Sequence, residues 1–269
     1  MFNTARKRAS TRGRYAGGVC TIVRNKLANY VTCLKTNLHD CIFLLFDGCV
    51  FDLSKSVLFC SVYIAPEYST IYESLSSTNG VELFENELLD ILTKLPDVYV
   101  IVLGDLNART GVQLDYIPDD STKYVIDSGV AYDRDDFELP RVSKDKSVNS
   151  FGRSLLSLCC SLNLHIVNGR LGYDAGRGDF TCIVNLGASV VDYAIMSTFL
   201  FSRVAKFEVG LSTISDHFPL SLSMNTFVSN AFGNVVSTPA RSQCDMIKFV
   251  WSPEKITKVH LSMRWKQRN

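Results

Sequence analysis

"DVYVIVLGDLNARTGV", Asp97 to Val112, runs six apolar or aromatic residues in a row, Val98 to Leu103, and then sets Asp105 and Asn107 two apart behind Gly104. The run reads as a buried strand. If that strand continues past Gly104, Asp105 and Asn107 project from the same face, where a strand end opens onto a cleft. Gly-Asp and Asn are also common turn formers, so this stretch alone leaves turn and site both open.

Working outward, "VELFENELLDILTKL" (Val81–Leu95) places Leu83, Phe84, Leu88, Ile91 and Leu92 at helical spacing with acids between them, an amphipathic helix ahead of the strand. "GGVCTIVRN" (Gly17–Asn25), "CIFLLFD" (Cys41–Asp47) and "SVLFCSVYIAP" (Ser56–Pro66) are β-branched and aromatic runs bounded by turn formers, and read as strands. On the other side, Asp115–Glu138 is rich in Asp with little apolar periodicity and reads as a solvated excursion. A helix from about Gly152 to Leu162 leads into a strand through Ile166 and Val167. Two strands form a hairpin around Asn185–Ala188, and a last apolar run, Thr213–Met224, contains "SDHFPL". Helices and strands alternate without repeats, the pattern of an α/β layered fold.

Composition narrows the classes. Hydrophobic residues make up 46% of 269, enough for a core, and the net charge of +1 gives no global sign of a polyanionic partner. Nine scattered cysteines without a CxxC read as buried thiols, not a disulfide or zinc framework. The start "MFNTARKRASTRGR" is basic without an apolar core, so it is no secretory signal. No apolar run reaches the roughly 18 to 20 residues of a membrane span. The expected setting is intracellular, nuclear or cytoplasmic.

Four motifs in order carry the chemistry: "YIAP" (Tyr63–Pro66), "LGDLNAR" (Leu103–Arg109), "VVDYAIMS" (Val190–Ser197) and "SDHFPL" (Ser215–Leu220). Together they resemble the endonuclease/exonuclease/phosphatase family, and the segments between them look like the endonuclease domain of LINE-type retrotransposons. The resemblance covers roughly Gly13–Met224. It implies a sandwich of two mixed β-sheets flanked by helices, deoxyribonuclease-like, and metal-assisted hydrolysis of a phosphodiester in DNA, with Mg²⁺ or Mn²⁺ weakly held. It also implies a monomer with no other small-molecule cofactor.

Carried across residue by residue, the resemblance makes Asp105 the group that orients and deprotonates the attacking water. Asn107 would donate its amide to a phosphate oxygen, and His217 would face the scissile phosphate as an imidazolium, held by Asp192. Tyr63 would hydrogen-bond the phosphate, Asp216 would lie near the metal with Asp105 and Asn107 or support His217, and Arg109 and Thr181 would contact substrate. Arg109, Arg141 and Arg153 also fit plain solvated surface. The glycines of "DAGRGDF" (Asp174–Phe180) read as a turn before a strand.

In one respect the pattern departs from the family. Two family strands precede the region that begins here at "GRYAGGVCTIVR", the second ending in a metal-ligating Glu, and the first glutamate of this chain is Glu67. The expected organisation is a basic N-terminal extension over residues 1–13, an endonuclease-like domain over 14–224 lacking its first strands, and a linker with a basic helical tail over 225–269. The tail from Arg241 on carries seven Lys or Arg against two Asp or Glu. The expectation is a DNA-nicking enzyme impaired by loss of the Glu; the alternatives are an inactive nucleic-acid-binding relic, or a phosphoesterase acting on a small substrate.

Overall fold

The computed structural model describes residues 1–4, 18–74, 79–118, 137 and 139–225, and the backbone of 243–244 and 261–262. In chain order the strands are β1 (Phe2–Thr4), β2 (Val19–Thr21), β3 (Val31–Leu34), β4 (Cys41–Phe46), β5 (Ser56–Tyr63), β6 (Val98–Asp105), β7 (Leu164–Ile166), β8 (Cys182–Val184), β9 (Gly187–Ser189), β10 (Asp192–Ser197), β11 (Val204–Val209), β12 (Leu220–Asn225), β13 (Gln243–Cys244) and β14 (Leu261–Ser262). The helices are α1 (Gly80–Lys94), between β5 and β6, and α2 (Ser150–Ser161), before β7.

Six strands form the central sheet in the order β3-β4-β5-β6-β10-β7. The β5–β6 pair is parallel, bridged by α1, and the others are antiparallel, so the sheet is mixed. The pleat assigns each side chain to one of two cores. Cys41, Phe43, Leu58, Cys60, Val62, Val100 and Val102 pack against Phe84 and Leu88 of α1 and Leu155 and Leu158 of α2. Their neighbours Ile42, Leu44, Val57, Phe59, Ile101 and Leu103 pack the other way, against Phe207 of β11 and Leu220, Leu222 and Met224 of β12. Burial on both faces explains why β6 reads as an unbroken apolar run. The result is a layered α/β sandwich of helices, central sheet and a second sheet, the latter antiparallel over its described strands.

Local chemistry sets the boundaries. The Asn79 carboxamide oxygen accepts from the Val81 and Glu82 amides and caps α1. Asn149 caps α2 in the same way through Gly152, starting that helix two residues before the sequence pattern suggests. Two strands, β3 and β11, have no clear sequence signal: β3 is a four-residue edge strand with no buried residue, and β11 buries only Phe207.

Three expectations change. The basic start is not all extension, because Phe2–Thr4 pairs with Val19–Thr21 and Phe2 packs against the second core; residues 5–17 lie outside the described ones. The basic tail is not helical where it is described, since β13 and β14 both pair with β12. The Asp-rich excursion is anchored: Asp115 is fully buried in an ion pair with Arg170, which is equally buried, and also accepts from Ile166 N. The remainder of that stretch, 119–136 and 138, lies outside the described residues.

One glycine fixes the end of β6. A Cβ on Gly104 would sit 1.8 Å from the Val62 carbonyl oxygen on β5, its register partner. Gly104→Ala is therefore expected to cost about 1–3 kcal/mol through overpacking, lowering the urea midpoint with little change in slope. An unchanged midpoint would show that the β5–β6 contact can open freely.

Candidate active site

Beyond Gly104 the pleat lines up three neighbouring strands. Tyr63 ends β5, Asp105 ends β6 and Asp192 begins β10, and in register Tyr63 pairs with Asp105 and Asp105 with Asp192. All three belong to the alternating set that faces the second sheet, which includes Phe59, Leu103 and Ala194. The segment leading into β12 brings His217 to the same place. It is held there by a bridge between Cys182 and His217, and by the Ile183 and Phe218 amides donating to the Asp216 and Thr181 carbonyls.

His217 Nδ1 lies 3.0 and 3.1 Å from the two Asp192 carboxylate oxygens, and Nε2 lies 4.0 Å from Asp105 Oδ2. Both aspartates are buried. The Asp105 Oδ1 atom accepts from Asn107 N at 3.0 Å. Burial and the facing Asp192 carboxylate push Asp105 up to about 7, against the pull of His217 and the Asn107 amide. Burial works against the charged ring of His217, yet the Asp192 hydrogen bond, the contact with Cys182 and the two carboxylates raise it to about 11. At neutral pH the ring is an imidazolium between two acids.

Asp105, Asp192 and His217 are the group of His, Cys, Asp or Glu side chains, among the described residues, close enough to share a metal ion. Within it Asp192 turns both oxygens to His217 and Asp105 turns Oδ1 to the Asn107 amide, while Asp105 Oδ2 faces His217 Nε2 at 4.0 Å. A hard cation carried mainly by substrate phosphate and water fits such a donor set. Asp216 is not part of this group; its carbonyl accepts from Ile183 N on the segment that carries His217.

The other expected residues divide. Asn107, at a positive φ of 46°, leaves the strand, so its side chain is not simply the next on Asp105's face. Its Nδ2 donates to Ile64 O, which leaves its amide oxygen and second N–H beside Asp105. Arg109 is engaged within the protein, its Nε and Nη2 forming a bidentate pair with buried Asp145. Thr181 is fully buried and its hydroxyl oxygen accepts from Val191 N and Asp192 N, so it orients Asp192 and touches no solvent. Arg141 is buried with Nη2 on Gln113 O, whereas Arg153 is exposed on α2. The "DAGRGDF" stretch is a turn closed on Asp174, which accepts from Gly169 N and Asp179 N.

Several residues without a motif hold the site. Asn149 Oδ1 accepts from Arg109 N as well as from the α2 N-terminus, while its Nδ2 donates to Asn107 O. Tyr193, fully buried, donates to Ala108 O or Val190 O and faces Thr110 Oγ1. Asn168 brackets β10 through Asp192 O and Ala194 N. The Asn at the head of an apolar helical pattern was a readable cap signal; its second role was not, because Asn107 is 42 residues away in sequence.

No family model and no curated protein matches the chain. Among solved structures, the endonuclease domain of TRAS1, a telomere-specific non-LTR retrotransposon, is similar at TM-score 0.42 and 16% identity, over 71% of this chain and 65% of that one. The 3'-5' exonuclease NExo from Neisseria meningitidis is similar at TM-score 0.44 and 13% identity, over 69% and 65%. The AP endonuclease LMAP from Leishmania major is similar at TM-score 0.44 and 15% identity, over 69% and 54%. The chain thus spans between about half and two-thirds of these structures. Among the described residues no helix is long and apolar enough to cross a membrane.

The electrostatics give two expected outcomes. A His whose pKa rises on folding, from about 6.5 to about 11, contributes stability that is fully present below pH 6.5 and is lost as pH climbs through 11. NMR of the metal-free protein should show the His217 ring doubly protonated from pH 6 to about 9, and Asp192→Asn should bring its titration back toward neutrality. A wild-type ring titrating near 6.5 would contradict this. Asn149→Ala is expected to cost about 1–2 kcal/mol through loss of the cap, read as a lower urea midpoint; an unaltered midpoint would remove Asn149 from the framework.

Proposed function

We propose that this chain hydrolyses phosphodiester bonds in DNA with a divalent metal ion, as a LINE-type endonuclease that nicks DNA to start target-primed reverse transcription. The observation that carries the reading is His217 held by Asp192 through Nδ1 with Nε2 turned toward Asp105, at the ends of adjacent strands. Three of the four ordered motifs supply these residues, a cation between two acids, which suits a reaction that accumulates negative charge on phosphorus-bound oxygens.

The roles follow from what each atom has free. The His217 imidazolium neutralises charge on the phosphate, and Asp192 keeps the ring charged and aimed. Asp105 would orient the attacking water and accept its proton, and the same carboxylate would help hold a cation, which favours its charged form over the raised metal-free one. The Asn107 amide, held by Ile64 O, steadies the Asp105 carboxylate and would turn to a phosphate oxygen when substrate binds, and Tyr63 borders the same row. Mg²⁺ or Mn²⁺, held by Asp105 with Asn107 and the substrate phosphate, would supply Lewis-acid stabilisation. A second reading, a nucleic-acid-binding relic, draws on the carboxylate oxygens of Asp105 and Asp192 that are already engaged by Asn107 and His217.

Plasmid nicking decides between them. With Mg²⁺ or Mn²⁺ in the millimolar range, supercoiled plasmid should relax slowly, and His217→Ala should slow that by roughly 10²–10³-fold, as for other deleted charge-stabilising groups. Chelation should stop it. Plasmid that is bound but never nicked would favour the relic, and nicking indifferent to His217→Ala would discard this site.

A further inference from the structure

Tyr68, five residues beyond Tyr63, is 96% exposed and has a backbone φ of +65°. A left-handed conformation is strained for an aromatic residue and persists only where the surroundings impose it. Here they do. The Ser69 amide donates to Pro66 O at 3.1 Å, closing a tight turn in which Tyr68 takes the place usually given to Gly or Asn. Glu67 pins the turn to the start of α2, its Oε1 accepting from Ser150 Oγ at 2.5 Å and Phe151 N at 3.0 Å. The Tyr72 hydroxyl donates to Ala65 O at 2.7 Å on the other side.

The backbone is therefore fixed while the ring stands in solvent. The same segment is continuous with the candidate site, for Ile64 N donates to Asp105 O and Ile64 O accepts from Asn107 Nδ2. Arg153, exposed in the first turn of α2, lies beside the turn: burial opposes it, but hydrogen bonds from Ser150 and Phe151 and the Arg153 charge lower the Glu67 carboxyl. A solvent-facing aromatic on a fixed turn, four residues beyond Ile64 and with a cation beside the neighbouring Glu67, matches the stacking-plus-phosphate pattern by which single strands are held.

We propose that Tyr68 is a stacking platform for an unpaired base of the DNA strand, with Arg153 contacting an adjoining phosphate. This rests on the reading of the site as nucleolytic only for the identity of the strand. With the backbone already held, only the two side-chain torsions of Tyr68 are ordered on stacking, which gives the strained turn a use.

The test is binding of a fluorescein-labelled single-stranded DNA oligonucleotide, by anisotropy in EDTA, to the full chain carrying His217→Ala, so that no hydrolysis intervenes. In that background Tyr68→Ala and Tyr68→Gly should each weaken binding by roughly 5- to 100-fold, while Tyr68→Trp should retain it. Tyr68→Gly should at the same time raise Tm by about 2–4 °C, because glycine accepts the left-handed turn. Arg153→Gln should reduce the salt slope of binding by about one. Weaker binding in a more stable protein separates a recognition role from a folding defect. If Tyr68→Ala and Tyr68→Gly bind as tightly as their parent, or if the parent binds no oligonucleotide, the subsite is overturned. Plasmid nicking that persists beside Tyr68-independent binding would remove this subsite alone, and Tyr68-dependent binding without nicking would remove the nucleolytic reading alone.

Discussion

Two buried carboxylates, Asp105 and Asp192, stand opposite each other across adjacent antiparallel strands, and the site depends on what lies between them. Like charges at directly opposed positions repel, and burial sharpens the repulsion. One resolution is protonation, visible in the raised Asp105 carboxyl; the other is a cation, supplied by His217 on the segment entering β12. That one imidazolium therefore ties the second sheet to the first electrostatically, while Phe207, Leu220 and Leu222 do so through apolar contact.

The scaffold is arranged to keep that row of side chains in place. Gly104 lets β5 and β6 close up before Asp105, Thr181 receives the amides of Val191 and Asp192, and Asn168 brackets the next turn of the pleat. Arg109 and Asp145 link the loop after β6 to the segment before α2, and Asp145 also accepts from Val190 N, just ahead of Asp192. Buried polar groups with satisfied partners of this kind orient a site more strictly than apolar packing alone. Removing one partner leaves the other unsatisfied in the interior, so substituting such a residue costs stability although it touches no substrate.

The sequence carried the middle of the central sheet, because β4, β5 and β6 are buried on both faces and read as largely apolar runs, and it carried α1 and α2 through their helical spacing. It also carried Asp105, Asp192 and His217, each at a strand end or entry inside a recognisable motif. It did not carry the residues whose work is long-range: Asp145 on Arg109, Asn149 on Asn107, Asp115 on Arg170. Their partners lie 36 to 55 residues away, and local composition marks them only as loop polar groups. Arg109 and Thr181 show the same limit, since both types occur in phosphate contacts and in buried frameworks, and only the fold distinguishes the two uses.

The central claim is that Asp192 and His217 act as one unit on the phosphate, and a double-mutant cycle on DNA nicking measures it directly. Asp192→Asn and His217→Gln should each slow the reaction by orders of magnitude, and the double variant should be no slower than His217→Gln alone, because the carboxylate acts only through the ring. Multiplying effects in the double variant, or a silent Asp192→Asn, would contradict the account.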